Sequence, residues 1–213
     1  MSKTCFYRMT YDGGSAPNPF HGWCTLAICT PNHMRARLVE GDYIAGVEGV
    51  GLRQRRIRLH GGDPADKRLR LLYIMRVEDV LSLNDYYLDP RFELKKVPSK
   101  STDPKRLVGD NLYCLDAAGA WTPTVIPQAH ADSPKTVAQD HAGNRVFVGT
   151  DFVYFGREGI PLSDGDQEFV PGRGLKYMRE SSRGDALFQH ARAAAGGKLV
   201  GMPIDMQVGD RSC

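Results

Sequence analysis

The alternation of hydrophobic and polar positions favours short β-strands in the first third of the chain. Several runs there are rich in aromatic and β-branched side chains and are separated by Gly, Pro and Asp, the residues that end strands and form turns. The runs that predict strands are Thr4 to Tyr11, Trp23 to Cys29, Tyr43 to Val47, Arg56 to His60 and Arg70 to Val77. Together they predict a small sheet or a barrel.

Two further segments carry local signals for a helix and a hairpin. The segment LSLNDYYLD predicts a short helix, because Ser82 and Asp85 have the spacing of a capping box and Pro90 limits the extension of the helix. The segment RVFVGTDFVYFG predicts a β-hairpin that turns at Gly149 to Asp151. The strand pattern therefore resumes later in the chain.

The C-terminal part contains the strongest helix signal. In SRGDALFQHARAAAGG, Ser182 and Asp185 match a capping box, alanines fill the body, and Gly196 and Gly197 end the helix. We expect this helix to pack on the sheet. Residues 117–144 form a segment that is too long and too rich in proline for a simple connection, so we expect a lid or a binding loop there.

Composition places these elements in one soluble domain. The chain has 213 residues, of which 41% are hydrophobic and 25% charged, and no apolar run reaches the roughly 18 residues that a membrane helix requires. The N-terminus lacks the apolar stretch of a secretory signal, so we expect a cytoplasmic protein. Its five cysteines are an odd, scattered set, which indicates reduced thiols. We expect an α+β fold, a single domain on a curved or barrel-like, mostly antiparallel sheet with a few helices.

Basic residues are concentrated in two stretches, although the net charge is only +3. Between residues 53 and 70, seven basic and two acidic residues give a local charge of +5. Such clusters contact phosphates in nucleic-acid-binding proteins, but they also form solvated hairpin rims, and the pattern leaves both interpretations open. The basic residues are Arg53, Arg55, Arg56, Arg58, Lys67, Arg68 and Arg70 in the first stretch, and Arg91, Lys95, Lys96, Lys100, Lys105 and Arg106 in the second.

The stretch DGGSAPNPFHGWCTLAIC combines turn residues with two cysteines. If Trp23 to Cys29 is a strand, Cys24 and Cys29 point to opposite faces, so we expect them to share no zinc site with His21. Cys24 is also a candidate nucleophile that a neighbouring base activates. Alternatively, it is a small buried apolar residue, as cysteine in a strand often is.

Polar side chains in two turns suit recognition of a base. Asp12 and Asn18 lie near glycines, which permit close approach of a ligand, and Asp110 and Asn111 form a second pair. Carboxylate and amide groups pair with the exocyclic amines and ring nitrogens of bases. Ordinary turn chemistry accounts for the same residues, so both interpretations stand.

Five motifs follow one another along the chain: YDGGSAPNPFHGWCTLAICTP, GDYIAGV, LLYIMRVEDVLSLNDYYLDPRF, GDNLY and VFVGTDFVYFG. This series resembles the nucleotide modification associated domain 2 family, a group linked to DNA base hypermodification. The resemblance runs from about Tyr7 to Gly156 and is interrupted by a basic insertion, Leu52 to Arg70. It implies a role in DNA base modification in bacteria or phages, with DNA or a nucleotide, and also base-modifying enzymes, as partners. We assign residues 1–160 to this domain and residues 161–213 to a C-terminal extension whose helix packs on it.

The resemblance and the basic stretch together predict a set of functional positions. As catalytic residues we expect Asp12, Cys24 and Asp110. We expect base or nucleotide contacts from Asn18, Thr25, Tyr86, Arg91, Asn111 and Tyr113, and phosphate contacts from Arg35, Arg53, Arg55, Arg56 and Arg58. Cys29, Asp42 and Asp89 also match the family pattern, although turns and a helix end account for the two aspartates as well.

Two functions of different classes remain. In the first, a β-rich module binds a nucleotide or modified base in DNA within an aromatic cage, with Trp23, Tyr43 or Tyr86 as candidate rings. Its sheet would then be similar to the pseudouridine-synthase-associated (PUA-like) barrels that read bases. In the second, the protein is a cofactor-free transferase or hydrolase acting on a nucleobase or nucleotide, with Asp12 or Asp110 as general acid or base. No P-loop, dinucleotide fingerprint or clustered zinc spacing identifies a cofactor, and we expect no metal.

Overall fold

Strands and short helices alternate along the chain in the computed structural model, which describes residues 2–28, 36–123, 134–198 and 200–206. The strands are β1 Thr4–Met9, β2 Cys24–Leu26, β3 Tyr43–Glu48, β4 Arg70–Arg76, β5 Asp79–Leu81, β6 Tyr113–Leu115, β7 Trp121–Pro123, β8 Val146–Gly149, β9 Phe152–Gly156, β10 Ile160–Pro161, β11 Leu175–Met178 and β12 Val200–Met202. The helices are α1 Val50–His60, α2 Leu83–Leu88, α3 Pro104–Leu107, α4 Pro134–Gly143, α5 Asp164–Gln167 and α6 Ser181–Ala195, with a 3-10 helix at Pro90–Lys95.

A seven-stranded sheet forms the centre of the fold, with the order β11-β1-β3-β4-β9-β12 and with β10 paired to β4. Strand β3 runs parallel to β1, and β12 runs parallel to β9, while the other pairs are antiparallel. A three-stranded sheet has the order β2-β8-β5, and β6 pairs with β7. The fold is therefore α+β, as predicted, and the described strands of the central sheet form an open path with two ends rather than a closed barrel.

Each face of the central sheet buries an apolar cluster, because neighbouring residues of a strand point to opposite faces. Cys5 and Tyr7 of β1 belong to one cluster, which the three-stranded sheet also enters through Leu26. Phe6 belongs to the other cluster, together with Phe188 of α6. Helix α6 therefore packs on the sheet, as predicted.

The segment Arg56 to His60 is helical, so the strand predicted there is wrong. It belongs to α1, in which Leu52 and Arg56 are buried four residues apart and therefore lie on the same face of the helix. Arginine and glutamine, which make up the stretch RQRR before Ile57, favour helices. The first basic stretch thus begins on a helix and not on the rim of a hairpin.

The hairpin predicted for Arg145 to Gly156 is also wrong, because its two strands belong to different sheets. Strand β8 pairs with β2 and β5, whereas β9 pairs with β4 and β12. The chain changes sheets at Thr150 and Asp151, whose backbone N–H groups donate to the Glu78 carboxylate at 2.8 and 3.1 Å. A carboxylate from a distant segment therefore satisfies the backbone of this turn.

The predicted helix ends are confirmed at two positions and wrong at a third. The Ser82 hydroxyl caps α2 by accepting the Asp85 N–H at 3.0 Å, as predicted. Gly196 ends α6 with a left-handed φ of 56°, also as predicted. Ser182 lies inside α6, which follows Glu180 without a side-chain cap, so the capping box predicted there is wrong.

The C-terminal part of the chain contributes to the central sheet, since β11 and β12 both follow residue 160. The long segment of residues 117–144 contains β7 and α4, and its residues 124–133 lie outside the described part of the chain. A lid or binding loop in this segment therefore stays a prediction. No helix within the described ranges is long and apolar enough to cross a membrane.

Candidate functional site

Five polar side chains meet inside the fold, and we call them the buried polar cluster: Asn18, Thr25, Tyr86, Lys95 and Asp110. Asp110 is fully buried and accepts hydrogen bonds from the Thr25 hydroxyl at 2.7 Å and from the Tyr86 hydroxyl at 2.8 Å. Thr25 comes from β2, Tyr86 from α2, and Asp110 from the loop before β6. The structure thus brings together four positions that the sequence predicted as functional, and adds Lys95 to them.

Lys95 is the member of the cluster that sequence reasoning missed as a site residue. Its ammonium donates to the Asn18 backbone carbonyl, to Asn18 Oδ1 and to the Trp23 carbonyl, each at 2.8 Å. Only 1% of Lys95 is exposed. Within the second basic stretch, no local signal distinguishes Lys95 from Lys96 or Lys100, because its burial depends on contacts with distant parts of the chain.

Burial shifts the titratable groups of this region toward their neutral forms. It raises the pKa of Asp110, an effect that Lys95 and the hydrogen bonds from Thr25 and Tyr86 oppose. It lowers the pKa of Lys95 to about 8, which the Asp110 carboxylate opposes. It raises the pKa of Cys24 to about 12, so this cysteine is a thiol and not a thiolate near neutral pH. This protonation state disfavours the predicted role of Cys24 as a nucleophile.

Asn111 and Tyr113 follow the aspartate of the cluster but make their contacts beside it. The Asn111 amide donates to the carbonyls of Tyr86 and Phe92 at 3.1 and 3.3 Å, while its side-chain oxygen is buried without a hydrogen-bond partner. The Tyr113 hydroxyl donates to the Asp140 carboxylate at 3.0 Å. Both residues therefore connect the helices around the cluster.

Asp12 lies in a second buried site, with Tyr154 of β9 and the C-terminal residues Ile204 and Asp205. Its carboxylate accepts a hydrogen bond from the Tyr154 hydroxyl and one from the Ile204 N–H at 3.0 Å, while its own N–H donates to the Asp205 carboxylate at 2.9 Å. Burial raises the pKa of Asp12 to about 6, and the Asp205 carboxylate acts in the same direction against the two hydrogen bonds. The two aspartates predicted as catalytic thus have separate sets of hydrogen-bond partners.

Three residues border the buried polar cluster, and we call them the Trp23 face: Trp23, Arg91 and Phe92. Trp23 and Arg91 are accessible to solvent, whereas Phe92 is buried beneath them. The rings of Trp23 and Phe92 meet edge to face at 5.1 Å, and the Arg91 guanidinium lies 5.5 and 5.1 Å from their centroids. The Arg91 side chain is 47% exposed and is held by an ion pair with Asp89 at 2.6 Å. Because the Trp23 carbonyl accepts a hydrogen bond from Lys95, the cluster fixes the backbone of this face. Solvent reaches the Arg91 guanidinium and part of the Trp23 ring, and both groups are suited to stacking of a base.

The three rings considered for an aromatic cage do not surround one space. Trp23 and Tyr86 pack in the same apolar region, and Tyr86 is fully buried. Tyr43 belongs to a different apolar cluster, where it packs against Phe188 at 5.3 Å and donates to the Asp185 carboxylate at 2.8 Å. Among the three, only Trp23 offers part of its surface to solvent beside the cluster.

Two of the arginines predicted to bind phosphate form ion pairs with carboxylates of the same protein. Arg55 forms an ion pair with Asp205 at 2.9 Å. Arg56 forms an ion pair with Glu48 at 2.6 Å, and only 9% and 1% of these two side chains are exposed. A phosphate would therefore have to displace the Glu48 carboxylate to reach the buried Arg56 guanidinium, and it would compete with the Asp205 carboxylate at Arg55.

Arg53 and Arg58 are the other two arginines predicted on α1, and neither forms an ion pair with another described residue. Arg58 is exposed and Arg53 is half-buried. Two further predicted positions, Arg35 and Cys29, lie outside the described residues. The guanidinium groups of Arg53 and Arg58 on α1 are therefore available to an external anion.

A recess of about 230 Å³ lies between β10 and α6, and Leu162, Arg183, Leu187 and His190 contribute to its lining. None of the residues predicted from the sequence as functional lines it. The described residues also contain no group of three or more His, Cys, Asp and Glu side chains that could hold a metal ion. The predicted polar residues within the described ranges therefore lie outside this recess, chiefly in the buried polar cluster, the Asp12 site, the Trp23 face and α1.

Comparison with known proteins identifies the family of this chain. A family model described as nucleotide modification associated domain 2 matches residues 1–210. The chain therefore belongs to the nucleotide modification associated domain 2 family, and the domain is associated with nucleotide modification. No curated protein and no solved structure matches the chain. The match continues past Gly156, so the family domain also includes the C-terminal segment that the motif resemblance left uncovered.

Proposed function

We propose that this member of the nucleotide modification associated domain 2 family binds a nucleotide or a modified base in DNA on its Trp23 face. Membership of the family supports a role connected with nucleotide modification. The observation that carries the proposal is the Arg91 guanidinium, which lies over Trp23 and Phe92 and remains 47% exposed. Unpaired bases stack on aromatic rings and on guanidinium planes, and this stacking tolerates chemical modification of the base edge.

The buried polar cluster has a supporting role in this proposal. Lys95 donates to the Trp23 carbonyl, and Thr25 and Tyr86 donate to the Asp110 carboxylate, all within a region that solvent does not reach. Buried polar networks with satisfied partners stiffen the backbone that they join. The cluster therefore holds Trp23 in place and does not itself contact the base. We also propose that the central sheet curves in the manner of the PUA-like barrels.

Phosphate groups of the bound nucleic acid would meet cations of α1 and of the second basic stretch. Arg53 and Arg58 on α1 are without carboxylate partners among the described residues, and Lys100 and Lys105 of the second basic stretch are exposed. Arginine and lysine supply the part of the affinity that does not depend on sequence. DNA binding would then combine base stacking at Trp23 with phosphate contacts from these side chains.

A second candidate is a cofactor-free transferase or hydrolase that acts on a nucleobase or nucleotide. The observation that favours it is the pair of Lys95, with a pKa lowered to about 8, and Asp110, with a raised pKa. Titratable groups whose pKa values move toward neutrality are common at catalytic sites. Asp12, with a pKa raised to about 6, has the same property. This function requires substrate to reach side chains that are buried in the described structure.

Fluorescence anisotropy with single-stranded and duplex oligonucleotides, with plain or modified bases, tests the first function. We expect Trp23→Ala and Arg91→Ala to weaken binding by about 1–3 kcal/mol each, the usual contribution of one stacked base. Tyr177→Ala is the matched control, because the Tyr177 ring also carries a cation, Lys3, at 6.0 Å, but lies on β11. A wild type with no affinity for any nucleotide or oligonucleotide near about 50 mM salt, where phosphate contacts are strong, would overturn the proposal. Mass spectrometry of nucleosides after incubation with DNA would show altered bases if the second function holds.

A further inference from the structure

Among the described residues, three buried side-chain nitrogen atoms have no hydrogen-bond partner: His141 Nε2 of α4, His21 Nε2 and Arg106 Nη1. The atoms of His21 and Arg106 lie on separate segments of the chain. Buried polar groups in folded proteins nearly always have a partner, and each exception requires an explanation, such as an ion or a ligand that meets it. Both atoms belong to groups that donate to anions, namely an imidazole and a guanidinium. An anion is therefore a ligand that both groups can bind.

The fold brings the segments of these two atoms together. The turn that contains His21 is attached to the region of α3, because Asn18 Nδ2 donates to the Val108 carbonyl at 2.9 Å. The Lys105 ammonium lies over the ring of Phe20, which precedes His21, at 5.7 Å from the ring centroid. Arg106 is the next residue of α3. The two nitrogen atoms thus belong to two segments that pack on each other.

The Lys95 and Arg106 cations act on the pKa of the His21 ring. Burial lowers the pKa of His21, and the charges of Lys95 and Arg106 lower it further. A hydrogen bond between the His21 ring and the Lys105 backbone acts in the opposite direction, as does the Asp103 carboxylate. A neutral imidazole in a positive field gains a proton when an anion binds beside it.

The backbone at His21 is also in an unusual conformation. His21 has φ of 58°, in the left-handed region that costs a residue with a side chain about 1 kcal/mol or more. Such conformations persist where surrounding contacts require them, and they concentrate at ligand sites. The conformation places the imidazole in the turn directly before Trp23, within the strand-turn region that bears the Trp23 face.

We propose that His21 and Arg106 form a phosphate site, with Lys105 at its edge. This inference rests on the proposed function, because it assigns the phosphate group of the nucleotide at the Trp23 face to this site. The guanidinium and the protonated imidazole each donate a charge-assisted hydrogen bond to phosphate oxygens. Binding of phosphate therefore takes up a proton at His21.

NMR titration of the His21 ring against inorganic phosphate at constant ionic strength tests the site, with the resonance assigned through His21→Asn. Asparagine accepts the left-handed backbone, so this variant keeps the turn while removing the imidazole. We expect phosphate to raise the pKa of His21 by about one unit or more. Arg106→Gln should weaken phosphate binding about tenfold to a hundredfold, the range for a hydrogen bond to a charged group. Arg192→Gln is the control, because Arg192 is an exposed arginine of α6 that pairs with Asp151. This variant should leave phosphate binding unchanged.

The outcomes separate this site from the function on which it rests. Suppose that the protein binds no oligonucleotide, but that phosphate shifts the pKa of His21 and Arg106→Gln abolishes this shift. That result would support the phosphate site and reject the proposed function. Oligonucleotide binding that depends on Trp23, without any response of His21 to phosphate, would reject the site alone. Equal phosphate responses of the wild type, Arg106→Gln and Arg192→Gln would also reject it. If Arg106→Gln does not fold, calorimetric phosphate titration of His21→Asn against wild type decides, and equal affinities would overturn the site.

Discussion

The ammonium of Lys95 donates hydrogen bonds to both oxygens of Asn18, the backbone carbonyl and Oδ1, at 2.8 Å each. The two residues are 77 positions apart in the chain, so this contact joins the end of the 3-10 helix to the first long loop. A third bond goes to the Trp23 carbonyl, also at 2.8 Å. One lysine therefore uses all three of its donors to hold the loop before β2.

Replacement of Lys95 by methionine should lower the stability of the protein. Methionine has a similar volume but no donor, so the Trp23 carbonyl would lose the partner that Lys95 provides. We expect Lys95→Met to lower the free energy of unfolding by about 2 kcal/mol, measured by urea denaturation. Lys100→Met, at an exposed lysine, is the control and should change it by less than about 0.5 kcal/mol. Unchanged or increased stability of Lys95→Met would show that desolvation of the ammonium outweighs its hydrogen bonds.

Asp12 should make stability fall as pH rises through the weakly acidic range. Burial raises its pKa from an ordinary 3.8 to about 6, so the folded state binds this proton more tightly than the unfolded chain does. The resulting stabilisation is present below about pH 4 and is lost as pH rises toward about pH 6. It amounts to about 3 kcal/mol, because one pKa unit corresponds to about 1.4 kcal/mol.

Denaturation at a series of pH values checks this contribution of Asp12. Asp12→Asn has no ionisable group at this position. Its stability should therefore not show the loss of about 3 kcal/mol that we expect for Asp12 between pH 4 and pH 7. Glu40→Gln removes an exposed carboxylate and should leave the pH profile close to that of the wild type. Identical pH profiles for the wild type and Asp12→Asn would show that Asp12 keeps an ordinary pKa in the folded protein.

The arginines of α1 should separate into a pair that binds phosphate and a pair that stabilises the fold. We expect Arg53→Gln and Arg58→Gln each to flatten the slope of log affinity against log salt by about 0.7 to 0.9 in DNA-binding titrations. Neither change should shift unfolding by more than about 0.5 kcal/mol. A slope that stays the same in the double variant would exclude α1 from the contact with DNA.

Arg56→Met should instead destabilise the protein by about 3–5 kcal/mol, because it leaves the Glu48 carboxylate buried without its partner. Thermal or urea unfolding measures this loss. The double variant Arg56→Met with Glu48→Leu should recover much of the stability, since buried ion pairs are often replaceable by apolar residues. Equal losses in the single and double variants would show that the pair itself, and not the orphaned charge, provides the stability.

A residue with a side chain at position 109, in place of Gly109, should destabilise the protein. A β-carbon at this position would lie 2.2 Å from the Lys95 carbonyl oxygen, a backbone atom that cannot move away easily. We expect Gly109→Ala to destabilise the protein by about 1–3 kcal/mol or more, measured by chemical denaturation. Gly51→Ala is the matched control on α1, where a β-carbon meets no atom within 4 Å, and it should stabilise the helix by about 0.5–1 kcal/mol. A neutral Gly109→Ala would mean that the loop before Asp110 shifts readily.

Local patterns in the sequence determined much of the secondary structure. The alternation of Cys5, Phe6 and Tyr7 placed β1 between two apolar clusters, because a strand points successive side chains to opposite faces. Ser82 and Gly196 ended helices as predicted, because capping and left-handed turns depend on a few neighbouring residues. The ordered motifs indicated the family, which the match over residues 1–210 confirmed.

Tertiary structure alone decided how these elements combine and which polar residues are buried. Strands β8 and β9 have the composition of a hairpin, but they enter different sheets, and the Glu78 carboxylate satisfies the turn between them. Lys95 differs from Lys96 only through partners supplied by a loop more than 70 positions away. The sequence pattern suggests that Arg56 is an exposed cation, but in the structure its side chain is buried in an ion pair with Glu48. Burial and pairing arise from long-range contacts, so the periodicity and charge of a short segment do not encode them.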